Sequence, residues 1–215
     1  MRTWIKICAT TSIEDALASI AAGADALGFV FAPSKRRVSA DQAQAIIAEL
    51  PANIERIGVF SNDSAVHVRE VVELAGLSAV QLHGEESPEF VAQLRSKWPR
   101  APRIGVIKTV LVNESFAQRF QEVCRDQDCF DSILLDAGAG SGRTFDWQKA
   151  KPHLARSGKR LIVAGGLTPQ NVGQAIRVLS PWGVDVVSGV EREPGRKDPD
   201  KLKAFVAAVR RADQS

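Results

Sequence analysis

The stretch WIKICATTSIEDALASIAAGADALGFVF, residues 4–31, carries the pattern that decides the fold. Its two ends, residues 4–8 and 26–31, are short and almost continuously apolar, which is typical of strands buried on both faces. Between them, TSIE at 11–14 predicts a helix start through a capping box with Thr11 as the cap, and apolar residues then recur at helical spacing. One strand, one helix and a second strand are the unit from which parallel sheets are built.

The same alternation continues along the chain. Further strands are predicted at 56–60, 79–82, 104–108, 132–135, 160–163 and 184–187, and the later helices are expected to begin near Ser39, Pro88, Asn113, Asp146, Pro169 and Pro199. Eight strand–helix units of about 27 residues predict an α/β fold, a single (β/α)8 TIM barrel with one domain over residues 1–215. A doubly wound open sheet is the alternative, but CATT at 8–11 stands where that fold carries its glycine fingerprint.

Composition excludes several classes of protein. Lys and Arg number 28 and Asp and Glu 25, so the formal net charge is +3, and 45% of the residues are hydrophobic. These values are ordinary for a globular chain and give no case for nucleic-acid binding. The sequence shows neither a signal peptide nor an apolar run of about 18 residues, so no membrane partner and a cytoplasmic location are expected. Three cysteines without His neighbours predict no disulfide scaffold and no metal site.

Two side chains that could move protons stand at predicted strand ends, where barrels of this kind carry their active sites. Cys8 ends the first strand, and Asp136 ends the sixth before a glycine-rich loop. A free cysteine is commonly just a small buried side chain, and an aspartate there can simply anchor the loop. If both face one pocket, they make a base and an acid, given positive charge to favour the thiolate and burial to keep the carboxyl protonated.

Two glycine-containing pairs end the last two strands. Gly165 and Gly166 follow strand seven, and Ser188 and Gly189 follow strand eight. The loops after these strands are the usual phosphate cradle of a TIM barrel, and glycine lets backbone N–H groups approach phosphate oxygens. The pairs therefore predict a small phosphorylated substrate.

The other charged residues near the predicted mouth divide into candidates and surface charge. Arg36 follows strand two and could hold a substrate carboxylate through two parallel hydrogen bonds, although a basic run such as KRR at 35–37 is commonly a solvated surface. His83 ends strand four and could contact the substrate or be structural. Arg192, Arg196 and Lys197 are interpreted as surface charge.

Short segments spread over nearly the whole chain resemble, in the same order along the sequence, one family, phosphoribosylanthranilate isomerase of tryptophan biosynthesis. They include KIC at 6–8, GFVF at 28–31, SKR at 34–36, VQLHG at 80–84, LLD at 134–136, GSG at 140–142, GGL at 165–167 and SGVE at 188–191. The combination of KIC near the start with SGVE near the end is the most specific part of the pattern.

The resemblance implies a cofactor-free Amadori rearrangement of N-(5-phosphoribosyl)anthranilate to 1-(o-carboxyphenylamino)-1-deoxyribulose 5-phosphate. On the matching positions, Asp136 is the general acid that opens the furanose ring, and Cys8 is the general base that takes the proton from C2. Arg36 holds the anthranilate carboxylate, while the glycine pairs bind the phosphate. His83 and Asp185 are expected at the rim or behind the residues that touch the substrate.

The resemblance also implies a monomer or a homodimer, and one residue departs from the family pattern. The family usually has Gly after the catalytic Cys, where this chain has Ala9, which is costly if that position needs a positive φ. Two other interpretations stay open. One is a different phosphosugar enzyme, for example a Schiff-base lyase using Lys108 at the end of strand five. The other is a barrel that binds phosphate without catalysis.

Overall fold

Eight parallel strands close into a barrel in the order of the sequence, which confirms the predicted (β/α)8 fold. The structure is a computed structural model that describes residues 2–96, 104–125, 128–138, 144–154 and 157–214. The strands are β1 (Trp4–Ile7), β2 (Ala26–Val30), β3 (Glu55–Phe60), β4 (Ala79–Leu82), β5 (Gly105–Leu111), β6 (Ser132–Asp136), β7 (Arg160–Val163) and β8 (Gly183–Val186). The helices are α1 (Ile13–Ala22), α2 (Ala40–Ile47), α3 (Ala65–Ala75), α4 (Pro88–Ser96), α5 (Phe116–Arg125), α6 (Trp147–Leu154), α7 (Val172–Leu179) and α8 (Pro199–Ala212). No helix in the described ranges is long and apolar enough to cross a membrane.

Helices α2, α4, α6 and α8 begin at or next to the predicted residues. Helix α5 begins at Phe116 rather than near Asn113, and α7 begins at Val172 rather than near Pro169, because turns precede both helices. The Ser39 hydroxyl accepts from the amide of Gln42, whose side chain accepts from the Ser39 amide, and Asp198 caps α8 ahead of Pro199. At α1, however, Ser12 rather than Thr11 is the cap, because its hydroxyl accepts from the amide of Asp15. The Thr11 hydroxyl instead donates to the carbonyl of Gly195 at 2.6 Å, so it ties α1 to a distant loop.

That distant loop is an excursion that the sequence pattern did not predict. Between β8 and α8 the chain forms a 3-10 turn (Ser188–Val190) and a two-stranded hairpin made of β9 (Glu191–Glu193) and β10 (Arg196–Lys197). Charged residues and only two or three residues per strand give no apolar alternation to detect. The hairpin lies over the end of β1, as its contacts with Thr11 and Cys8 show.

Strand alternation separates the molecule into an interior and a shell. Residues of one parity form an apolar cluster inside the barrel, namely Trp4, Ala26, Ile57, Ala79, Ile107, Leu134, Ile162 and Ala164. Residues of the other parity, such as Ile5, Ile7, Leu27 and Phe29, join the larger core beneath the helices. The two clusters together explain why the strands are apolar at nearly every position.

The inward parity also decides what reaches the carboxyl end of the barrel. Along β1 and just past its end, the inward-facing positions after Trp4 are Lys6 and then Cys8. On β6, the inward-facing position after Leu134 is Asp136. Along this parity, Lys6 pairs with Asp185 across the β1–β8 seam. The interior is therefore apolar at one end and carries charge at the other.

Candidate active site

Cys8 lies at the carboxyl end of the barrel, directly after β1. Its amide donates to the carbonyl of Val186 at 2.9 Å, which continues the β1–β8 pairing and fixes the backbone. Its side chain is only 4% exposed and occupies the space left by the missing side chain of Gly28, where a Cβ atom would lie 2.5 Å from the sulfur. The thiol is therefore held in a slot between β1 and β2.

Charges of both signs act on this thiol. Burial raises the pKa of Cys8, the ammonium groups of Lys6 and Lys197 act in the opposite direction, and the Asp185 carboxylate adds to the rise. The predicted positive charges are thus present, but burial outweighs them. The thiol is protonated at neutral pH in the unliganded protein.

A buried polar network lies beneath the thiol, inside the barrel. The Lys6 ammonium donates to Asp185 Oδ1 at 3.0 Å and to Gln81 Oε1 at 2.8 Å, and Gln81 Nε2 donates to the Thr109 hydroxyl at 3.2 Å. Lys6 is fully buried, and although burial disfavours its charge, Asp185 and Cys8 raise its pKa above the usual value. Asp185 therefore lies below the rim, as a supporting rather than an exposed residue.

His83 connects this network to the mouth. Its Nδ1 atom is 3.3 Å from Gln81 Nε2, so Nδ1 is assigned as the acceptor and the proton is placed on Nε2. Burial lowers the pKa of His83, while the charge of Asp136 acts to raise it. The imidazole is half-buried and neutral at pH 7, in a position to meet a ligand.

Asp136 ends β6 on the inward parity, as the sequence predicted. The amide of Gly138 donates to its Oδ1 atom at 2.9 Å, and this is the donor to its side chain among the described residues. The backbone of Gly165 passes so close that a Cβ atom there would lie 2.9 Å from Oδ1. The carboxyl is thus placed beside the predicted phosphate loop, while GSG at 140–142 lies outside the described residues.

The two glycine-containing pairs have the geometry of an anion cradle. Gly165 and Gly166 have φ values of +78° and +63°, which glycine adopts without strain. A Cβ atom at Gly189 would collide with the carbonyl oxygen of Leu167, so the loops after β7 and β8 touch through this glycine. In the described structure, none of the amides at 165, 166, 188 and 189 donates to a protein acceptor. Two touching loops whose amides have no protein acceptor among the described residues are suited to a phosphate.

Arg36 is anchored more firmly than its sequence context suggests. Its Nε atom donates to both carboxylate oxygens of Glu191, at 2.9 and 3.1 Å, and its Nη2 atom donates at 2.6 Å. Burial acts to raise the pKa of Glu191, but Arg36 and Lys197 lower it overall. For the Nη1 group of Arg36, no protein acceptor is found in the described ranges, so that edge can receive a substrate carboxylate.

Lys197 was wrongly assigned to the surface. It is 2% exposed, and its ammonium donates to the Cys8 carbonyl at 2.6 Å and to Glu191 at 3.3 Å. The unpredicted hairpin folds it inward, whereas Arg192 and Arg196 are exposed as expected. Glu191 and Lys197 therefore connect Arg36 to the backbone of Cys8, a link that no local sequence pattern indicated.

Ala9 stands where the family usually has Gly, and it adopts the positive φ that is costly for alanine. Its φ is +62°, in the left-handed region. Alanine pays about 1–2 kcal/mol there relative to an ordinary backbone conformation. Lys197 donates to the carbonyl of Cys8, the residue before Ala9, and the amide of Thr10, the residue after it, donates to the carbonyl of Gly28 at 2.9 Å. Contacts on both sides therefore maintain this conformation.

Lys108, the candidate for a Schiff base, does not face the barrel interior. It has the outward parity, and its ammonium donates to the Gly84 carbonyl at 2.6 Å and to Glu86 at 2.8 Å. Among the described residues, the lysine that faces the barrel interior is Lys6, which was not predicted as a site residue although it alternates with Cys8. Within the described residues, no group of three His, Cys, Asp or Glu side chains is arranged to hold a metal ion.

Comparisons with known proteins identify one family. The family model of N-(5'-phosphoribosyl)anthranilate isomerase matches residues 5–208. The isomerase of Thermotoga maritima is 44% identical over 204 residues, covering 94% of this chain and 96% of the relative. That of Pelobacter propionicus is 41% identical over 203 residues, covering 94% and 93%.

Solved structures give the same result. The crystal structure of the Thermotoga maritima isomerase has a TM-score of 0.86 at 42% identity, covering 97% of this chain and 98% of that one. An isomerase in complex with reduced 1-(o-carboxyphenylamino)-1-deoxyribulose 5-phosphate has a TM-score of 0.84 at 40% identity, with the same coverage. The chain belongs to the N-(5'-phosphoribosyl)anthranilate isomerase family.

Proposed function

We propose that this chain catalyses the Amadori rearrangement of N-(5'-phosphoribosyl)anthranilate to 1-(o-carboxyphenylamino)-1-deoxyribulose 5-phosphate, a step of tryptophan biosynthesis. The observation that carries the proposal is the shared placement of Cys8, Asp136 and Arg36 at the carboxyl end of the barrel. Family membership supports it, as does the relative that binds a reduced form of the product.

The substrate is held at its two charged ends. The phosphate lies against the amides of residues 165, 166, 188 and 189, and the anthranilate carboxylate pairs with the Nη1 edge of Arg36. Because Glu191 fixes the guanidinium, little side-chain entropy is lost when the carboxylate binds. The ribose then lies between the acid and the base.

Ring opening is the first chemical step. Asp136 gives a proton to the furanose ring oxygen as the C1–O bond breaks, and the anilino nitrogen lone pair forms a C=N bond to C1. The Gly138 amide fixes one oxygen of the carboxyl, so the other is directed to the ring. The product of this step is an open-chain iminium ion with a free hydroxyl on C4.

Proton abstraction follows. The Cys8 thiolate takes the proton from C2, and the electron pair of the C–H bond forms a C=C bond as the nitrogen regains its lone pair. The resulting enolamine tautomerises to the ketone. Because burial raises the pKa of Cys8, the thiolate is a small fraction of the enzyme but a strong base. The rate is therefore expected to increase with pH in the neutral range.

The two alternatives receive less support. A lyase with a Schiff base needs a lysine that can reach the substrate, and Lys108 is held in an ion pair outside the interior. A solved 3-hexulose-6-phosphate synthase has a TM-score of 0.73 but only 14% identity, so it shares the fold alone. A barrel without catalysis would not need a thiol and a carboxyl on the same inward parity.

Turnover by the purified protein is the direct test. Conversion of the substrate to the product is followed with time by separating the two compounds. The same gene is then introduced into a tryptophan auxotroph that lacks the isomerase, with Cys8→Ala as the matched control. Growth with the wild-type gene but not with the variant is the expected result. Tight product binding without conversion would favour a non-catalytic barrel.

A monomer or a homodimer and a cytoplasmic location stay predictions. A further structure is of generated monomers of the dimeric Thermotoga maritima isomerase, with a TM-score of 0.84 at 40% identity. We infer that this chain is active in either state, because every residue assigned to the site belongs to one chain. Sedimentation equilibrium alongside activity over a dilution series tests this inference, and activity lost on dilution would contradict it.

A further inference from the structure

The interior of the barrel places a buried ammonium beside the proposed base. A Cβ atom at Gly28 would lie 2.5 Å from the sulfur of Cys8 and 3.0 Å from Cε of Lys6. Both side chains therefore share the space above this glycine. Lys6 has no exposed surface and Cys8 almost none, so little water separates or screens them.

The ammonium is held in a defined position. Two of its three N–H groups donate to Asp185 Oδ1 and Gln81 Oε1, and Gln81 is itself fixed by Thr109. The third N–H has no oxygen acceptor in the described structure. The Cys8 thiol is the adjacent group, and the ammonium stabilises its negative charge when the thiol ionises.

We propose that Lys6 is a positioning residue that stabilises the thiolate form of Cys8. Asp185 holds the ammonium in place, while its own negative charge disfavours the thiolate. The proposal rests on the proposed function of Cys8 as the base and adds a residue to it. Lys6 touches no substrate in this proposal, because Cys8 lies between it and the mouth.

The charges that act on Cys8 come from several elements and differ in how they are compensated. Lys197 on β10 and Arg36 after β2 both pair with Glu191, while Lys6 on β1 pairs with Asp185 on β8. Burial raises the pKa of Cys8, and of the two members of the Lys6–Asp185 pair, Lys6 lowers that pKa and Asp185 raises it. The two members of one ion pair should therefore shift the thiol titration in opposite directions.

Thiolate absorbance at 240 nm measures this titration without substrate. The chain contains no tyrosine, so no tyrosinate band interferes at alkaline pH, and a Cys8→Ala blank subtracts Cys124 and Cys129. The variants are Lys6→Met, Asp185→Asn and the double variant. Lys108→Met is the matched control, because it also removes a buried lysine from a 2.8 Å ion pair but lies outside the barrel interior.

The expected order of titration midpoints is Asp185→Asn lowest, then wild type, then Lys6→Met, with the double variant below Lys6→Met and Lys108→Met equal to wild type. At neutral pH, kcat of Lys6→Met should fall about tenfold or more with KM little changed, since a facing opposite charge changes the ionised fraction by that order.

A purely structural role predicts a different result. If Lys6→Met and Asp185→Asn move the midpoint in the same direction, or if neither moves it, the proposal is wrong. Should Lys6→Met fail to fold, the comparison of Asp185→Asn with the double variant decides, because the double variant must titrate at higher pH. Absence of wild-type turnover would refute the isomerase function, whereas the midpoints test Lys6 alone.

Discussion

The two ends of the barrel interior differ in what their residues do. At the amino-terminal end, Trp4, Ile57 and Leu134 fill the interior with apolar groups, and Trp4 stacks on Trp182 at 4.9 Å. Two residues further along the same strands, the interior holds Lys6 and Asp136. The strands and the inward parity are the same, so the identity of the side chains separates an apolar end from the end that carries the candidate site, which we call the reactive end.

This difference indicates that stability and catalysis can be changed separately. Apolar burial stabilises a fold in proportion to the area removed from water. A buried lysine with its carboxylate does not, because desolvation offsets most of their attraction. Stability therefore does not explain the charged end, whereas the proposed function would, and substitutions at the two ends should have different consequences.

The largest effect is expected at the reactive end. Cys8→Ala and Asp136→Asn should each lower kcat by about 10²–10⁴-fold, because each removes a group that transfers a proton. KM and the thermal unfolding midpoint should change little. Steady-state kinetics and calorimetry check this, and near-normal kcat in either variant would remove that residue from the mechanism.

The matching substitution at the apolar end should do the reverse. Leu134→Ala is expected to reduce the free energy of unfolding by about 2–5 kcal/mol, since it leaves a cavity among buried neighbours. The kcat of the folded fraction should stay near wild type. Urea unfolding and active-site titration measure the two quantities. A large loss of kcat with little loss of stability would mean that the two ends are coupled.

Arg36→Met separates binding from proton transfer at the reactive end. We expect KM to rise about 10–100-fold, because a charge-assisted hydrogen bond of about 1.5–3 kcal/mol is lost. The kcat value should change less than in the Cys8 and Asp136 variants. Arg36→Lys is the control, and it should recover only part of the affinity because lysine cannot form the paired bonds with Glu191. Unchanged kcat and KM in Arg36→Met would exclude the residue from the site.

The pH dependence of stability is a smaller effect with a defined sign. The pKa of Cys8 is raised by burial, so the folded state keeps the thiol proton to higher pH than the unfolded chain. Its contribution is complete below the ordinary thiol pKa of about 8.5 and is lost as pH rises through the folded value. The difference in unfolding free energy between wild type and Cys8→Ala should therefore decline with alkaline pH. A difference that is constant or grows would show that folding does not raise the pKa of Cys8.

Ala9→Gly should have the smallest effect. Relief of the left-handed backbone, about 1–2 kcal/mol, is offset by a lost buried methyl group and by the extra chain entropy of glycine. A net change within about 1 kcal/mol is expected in chemical unfolding, with activity retained. Ala9→Val should be clearly destabilising, because a β-branched side chain tolerates positive φ poorly.

The sequence predicted the barrel well because its pattern is local. Strands β4 and β7 begin and end at the predicted residues, since turns and polar residues bound their apolar runs. Strand β5 was placed at 104–108 but runs to Leu111, because its last residues pair with β6 up to Asp136. That extension depends on a neighbouring strand and cannot be read from the segment itself.

The sequence located candidate site residues only where position along a strand was sufficient. Cys8, Asp136 and the two glycine-containing pairs follow strands, so the general rule for barrels located them. Lys6 could have been found from the alternation Trp4, Lys6, Cys8, which places a charge on the inward face. Lys197 and Glu191 could not, because only the hairpin after β8 brings them to Cys8 and Arg36.

The contacts across the β1–β8 seam constrain when the enzyme becomes complete during synthesis. Lys197 reaches the Cys8 carbonyl from 189 residues away, Asp185 reaches Lys6 from 179, and Glu191 reaches Arg36 from 155. The first strand leaves the ribosome long before its partners are translated. A nascent chain that stops short of the final hairpin carries the sulfur and the guanidinium but lacks Lys197 and Glu191, which hold the Cys8 carbonyl and the Arg36 side chain. We therefore expect a chain truncated there to be inactive.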